Sequence, residues 1–105
     1  MADVLEISHY NYYVFSSRDG DAKAVMLLYG STGGQIGYVY FRDDAQTMAD
    51  AEKLSDGKIT LSYRYRDLPV LIDMLRNEKP VYLIYVDGIN SRISSAAEPV
   101  GEGEM

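Results

Sequence analysis

The stretch KITLSYRYRDLPVLIDML, residues 58–75, changes its period in the middle. From Lys58 to Arg66 the side chains alternate. Ile59, Leu61, Tyr63 and Tyr65 face one way, and Lys58, Thr60, Ser62, Arg64 and Arg66 the other. Such alternation predicts a strand with one packed side and one wet side. From Leu68 the apolar residues fall at i, i+3, i+4 and i+7 (Leu68, Leu71, Ile72, Leu75), the buried stripe of a helix. Asp67 stands at the cap, Pro69 sits in the first turn where a missing N–H does no harm, and Pro80 blocks continuation. An oily strand face running straight into an oily helix face predicts that the two press together as the layers of one core.

The flanking segments extend this plan. Residues 81–86, VYLIYV, are apolar on both faces and read as a covered strand. Asp87-Gly88 turns the chain, and SRIS, residues 91–94, adds a short edge strand. Upstream, residues 45–54, AQTMADAEKL, read as a second helix capped by Asp43 or Asp44, with Asp43 and Gln46 at capping-box spacing. Its stripe of Met48, Ala51 and Leu54 is thin, which places it on the surface, and Asp56-Gly57 ends it. Three β-rich runs come first: VLEISHYNYYVFS (4–16), AKAVMLLY (22–29) and QIGYVYFR (35–42). His9 and Asn11 break the first alternation, which predicts a bulge or bend near them. The Asp19-Gly20 turn and the GSTGG loop (30–34) are too short for parallel crossovers, so the three runs read as an antiparallel meander. The expected order is β-β-β-α-β-α-β. That is an α+β domain over residues 1–95, with an antiparallel or mixed sheet of five to six strands and two helices, then an acidic flexible tail over 96–105.

Composition narrows the chemistry. The 105 residues include no cysteine, which removes disulfides, thiolate nucleophiles and zinc–thiolate sites. No run approaches the ~20 apolar residues of a membrane span, and MADVLEISHY carries neither the basic nor the apolar part of a signal peptide. These features predict a cytoplasmic protein without membrane contact. Net charge is −6; Glu98, Glu102 and Glu104 lie beyond the last basic residue, Arg92, and removing their −3 leaves −3 for residues 1–92. An acidic body is repelled by phosphate backbones, so nucleic acid is a disfavoured partner.

The motif candidates resolve toward structure. A phosphate-binding loop needs G-x-x-x-x-G-K-[ST] between a strand and a helix. Here no lysine follows Gly34, and the next segment alternates like a strand, so Gly33 and Gly34 read as the positive-φ residues of a hairpin. His9, the single histidine, has no local partner for acid–base work, and the carboxylates show no calcium-loop spacing. No catalytic residue, metal or cofactor is expected. Ten tyrosines against two phenylalanines is the unusual count, and tyrosine suits half-wet sheets and interfaces. The expectation is a non-enzymatic interaction module that binds a protein partner, or itself as a homodimer, through a sheet face carrying Tyr10, Tyr12, Tyr38 and Tyr40. The alternative is single-stranded nucleic-acid binding through Arg64 and Arg66, with tyrosines nearby.

Residues 74–88, MLRNEKPVYLIYVDG, and 98–104, EPVGEGE, supply a resemblance. Together they resemble the helix–strand–tail ending of a group of small uncharacterised bacterial proteins, in which the first string begins LLRNEKP. The resemblance covers roughly the last third of the chain. It implies a bacterial cytoplasmic origin and nothing about chemistry.

Overall fold

A computed structural model describes residues 2–17 and 22–95. The expected Asp19-Gly20 turn and the acidic tail over 96–105 lie outside the described residues. The first β-rich run forms two strands, β1 (Asp3–Glu6) and β2 (His9–Val14), separated by a corner at Ile7-Ser8. The meander continues through β3 (Ala24–Tyr29) and β4 (Gln35–Arg42). A two-residue strand, β5 (Glu52–Lys53), precedes β6 (Ile59–Arg64). A 3-10 turn over Tyr65–Asp67 leads into α1 (Leu68–Asn77), and β7 (Tyr82–Tyr85) and β8 (Arg92–Ser94) close the fold.

Two sheets result. The larger has the order β2-β3-β4-β6-β5 and the smaller β1-β7-β8. Pairing is antiparallel except between β4 and β6, which run parallel with Val39 opposite Leu61. The corner explains how one run serves both sheets. The Ile7 amide donates to the Val81 carbonyl (2.8 Å), extending the small sheet, and the Ser8 amide donates to Tyr29 (2.8 Å), starting the large one. The bend expected near His9 therefore falls one to two residues earlier.

The core lies between the sheets. Met26, Leu28, Val39, Phe41, Ile59 and Leu61 enter it from the large sheet, Leu83 and Ile93 from the small one, and Leu68 and Leu71 from α1. Each fully buried side chain of this kind contributes about 1.5–3 kcal/mol. The sheets approach closely at Gly37 on β4, where an added β-carbon would lie 2.9 Å from Leu83 Cδ2. A polar tie crosses the same layer: the Ile93 amide donates to the Tyr63 hydroxyl at 3.0 Å.

The expected α+β architecture with two helices is wrong. The described residues are mostly sheet, 43% strand against 14% helical, with a single α-helix and two sheets among them. Residues 45–54 form no helix, and the reason is tertiary. The local signal is present, since the Asp43 amide donates to Gln46 Oε1 at 2.8 Å. However, Arg64 Nη1 donates to the carbonyls of Asp43 (2.7 Å), Asp44 (3.3 Å) and Gln46 (2.9 Å), the groups a helix would turn toward its own next amides. The Ala51 amide goes to Gly88, and Glu52 and Lys53 pair with β6. A thin apolar stripe offers too little burial to compete with these bonds.

The expected helix over the 68–75 stripe is present. Pro69 lies in its first turn, and Asp67 occupies the cap position without a side-chain capping bond. The glycine loop is a hairpin, with Gly30 and Gly34 bonded at 2.9 Å and Gly33 at φ 90°. Gly34 stays outside the positive-φ region.

Candidate functional site

The outer face of the large sheet is built by strand register. Inward residues of β3, β4 and β6 alternate with outward ones, so each pairing rung carries outward side chains across the sheet. One rung is Tyr13, Val25, Tyr40 and Ser62; the next is Asn11, Leu27, Tyr38 and Thr60. His9 and Tyr29 begin a third, with ring centroids 6.3 Å apart. Tyr38 and Tyr40 stack along β4 at 6.2 Å and 17°, and Tyr13 meets Phe15 edge-on at 5.3 Å. None of Tyr13, Val25, Leu27, Tyr38 and Tyr40 belongs to the core between the sheets. Val25 is only 7% exposed amid these neighbours, whereas Tyr13 is 48% exposed.

A cation completes this face. Arg42 follows Tyr40 on the same side of β4, with its guanidinium carbon 5.6 Å from the Tyr40 ring centroid. Its Nε is buried and, among the described residues, has no hydrogen-bond partner. A buried donor left unmade costs about 1–3 kcal/mol, more when charged. Arg42 is paired in register with Arg64, so the aromatic rungs end on a basic rim.

The four tyrosines expected to share a face are divided. Tyr38 and Tyr40 are on the outer face. Tyr10 pairs with Leu28 and Tyr12 with Met26, so both turn to the inner side, where they stack on each other at 6.3 Å. Tyr10 packs against the core and Tyr12 lies at its rim. Arg64 and Arg66 are likewise separated. Arg64 ends β6 and is bound to the 43–46 carbonyls. Arg66 sits in the 3-10 turn and pairs with the Asp44 carboxylate at 2.9 Å. Sequence reasoning passed over Tyr13, Val25, Leu27 and Arg42, although the parity of QIGYVYFR already puts Arg42 on the side of Tyr38 and Tyr40.

A concavity of about 470 Å³ lies at the Ile7-Ser8 corner against the end of α1. Glu6, His9, Arg76, Glu78 and Lys79 line it. His9 Nδ1 lies 2.9 Å from the Ser8 hydroxyl. Among the described residues neither glutamate bonds the imidazole, and no group of three His, Cys, Asp or Glu side chains is placed to hold a metal. No helix among the described residues is long and apolar enough to cross a membrane. No family model, curated protein or solved structure matches the chain.

Asp87 accepts from the Ile89 and Asn90 amides and from Asn90 Nδ2, and these bonds, the Asn90 side chain first, hold its pKa below the usual carboxylate value. Burial pushes the Tyr63 phenol above its ordinary value, against the opposing Ile93 N–H bond.

Proposed function

We propose that this chain is a small interaction module that binds a protein partner through the outer face of its large sheet. The observation that carries the reading is Arg42: a half-buried side chain whose buried Nε donor is unmade among the described residues, set beside stacked Tyr38 and Tyr40. That combination fits a partner segment presenting a carboxylate flanked by apolar side chains. The aromatic rungs supply buried area at low entropic cost, and the guanidinium supplies orientation. Resemblance of the last third to small bacterial proteins, with the absence of cysteine, supports a bacterial cytoplasmic setting. The nucleic-acid alternative draws no such support, because Arg64 and Arg66 already hold the 43–46 loop.

A peptide display library, selected against the purified chain and read by NMR, tests this. Enriched peptides are expected to pair an acidic residue with apolar neighbours and to shift the amides of Tyr13, Val25, Leu27, Tyr38 and Arg42. Tyr38→Ser/Tyr40→Ser and Arg42→Gln should each weaken binding at least tenfold. Shifts confined to the 6–10 and 75–81 cleft, or affinity untouched by both variants, defeat the proposal.

A further inference from the structure

Four strands form the sheet edges: β1 and β8 in the small sheet, β2 and β5 in the large one. Three are short and charged. β5 is only Glu52 and Lys53, β8 is three residues beginning at Arg92, and β1 is four residues with Asp3 and Glu6 at its ends. Brevity and charge are the usual protections of an open strand edge. β2 has neither. It runs for six residues, HYNYYV, and no Asp, Glu, Lys, Arg or Pro occurs from Ile7 to Ser17.

The ladder fixes which groups face outward. The Phe15 amide donates to the Lys23 carbonyl at 2.9 Å. Antiparallel alternation then directs His9, Asn11 and Tyr13 toward β3, and leaves the amides and carbonyls of Tyr10, Tyr12 and Val14 at an edge that no other described strand covers. The side chains there are open as well, Tyr12 at 46% and Val14 at 46%.

We infer that β2 pairs with β2 of a second copy, antiparallel, about a two-fold axis passing through Tyr12 normal to the sheet. An axis in that direction keeps like faces together, so opposed residue numbers must sum to an even value. Centring on Tyr12 satisfies this and uses every outward backbone group. Tyr10 faces Val14 of the other copy, Tyr12 faces its equivalent, and Val14 faces Tyr10. On the outer side Asn11 opposes Tyr13, and His9 opposes Phe15. No like charges meet, although each chain carries −6, and β2 is the edge at which two such acidic bodies approach without charged strand residues. The pairing joins two large sheets into one continuous sheet and sets the two outer aromatic faces side by side. Strand pairing of this length belongs to the small interfaces, below about 1,200 Å², so the assembly depends on concentration.

Light scattering across a dilution series, with amide hydrogen exchange on the same samples, tests the pairing. The expected mass is twice 11.8 kDa at high concentration, falling to the monomer on dilution. Protection of the Tyr10, Tyr12 and Val14 amides should rise with concentration, while that of Asn11 and Tyr13 stays constant. Tyr12→Asp places like charges across the axis and is expected to give a monomer with unchanged circular dichroism. Tyr38→Ser/Tyr40→Ser stays dimeric, which separates this pairing from the partner-binding face. A monomer at every concentration overturns the inference. So does a dimer that survives Tyr12→Asp, or concentration-dependent protection at another strand, including capture of β2 by a different extended peptide without self-pairing.

Discussion

Replacing Tyr63 by Phe isolates the bond that ties the two sheets. The Tyr63 hydroxyl accepts from the Ile93 amide at 3.0 Å, joining β6 to β8 across the core. Its ring stacks on Phe41 at a centroid distance of 6.3 Å, a contact that phenylalanine keeps. The substitution therefore opens no cavity of consequence. What it removes is the acceptor for a part-buried N–H, which costs about 1–3 kcal/mol. Relief from burying the hydroxyl offsets part of this, leaving about 1–2 kcal/mol, a 5- to 30-fold fall in the folding constant. The urea midpoint should drop with the slope unchanged, and the Ile93 amide should exchange faster. A pH signature accompanies the loss. The Tyr63 pKa is raised in the folded chain by burial, so its contribution is fully present below the unfolded value near 10 and is lost as pH rises through the folded value. The Tyr63→Phe chain should lack that alkaline component. An unchanged midpoint together with unchanged Ile93 exchange would refute the reasoning.

Gly37→Ala should destabilise by about 1–3 kcal/mol in urea unfolding, because the new β-carbon meets the Ile59 carbonyl oxygen and Leu83 Cδ2; Gly34→Ala, with open space around it, serves as the silent control. Arg64→Met should free the 43–46 carbonyls, costing about 1–2 kcal/mol and speeding exchange at Gln46, whereas Arg66→Met breaks an exposed pair and should fall within about 0.5 kcal/mol of wild type. Acid should loosen the 87–91 turn: the Asp87 pKa is lowered in the folded chain by the Asn90 and Ile89 bonds, so its contribution is present above the ordinary carboxylate value and is lost as pH falls through the folded one. Asn90 amide exchange followed from pH 6 downward reads this directly, and Asp87→Ala should make it flat over the same window.

Much of the fold was legible where one segment decides its own shape. QIGYVYFR became β4 from Gln35 to Arg42, the KITLSYRYR alternation gave the correct inner and outer faces of β6, and the Leu68-to-Leu75 spacing gave α1. Legibility ended where distant partners decide. The Asp43–Gln46 signal for a helix start was real, but the competing Arg64 guanidinium lies 18 to 21 residues away in sequence. The second sheet pairs Asp3 with Tyr85, and no local pattern announces that match. The candidate face was half read for the same reason. Which side Tyr10 shares with Tyr38 depends on cross-strand register, and the irregularity at Leu28/Tyr29 changes the parity between the strands. A single-residue slip there moves a whole row of side chains to the opposite surface.

The corner at Ile7-Ser8 has a consequence for how the molecule is made. Leu5 and Ile7 belong to a sheet whose next strand, β7, starts only at Tyr82. A nascent chain can pair β2, β3 and β4 as they emerge, but β1 must wait for β7 before it finds its neighbour. β1 is thus secured only after β2, β3 and β4, which follow it in sequence, have already paired.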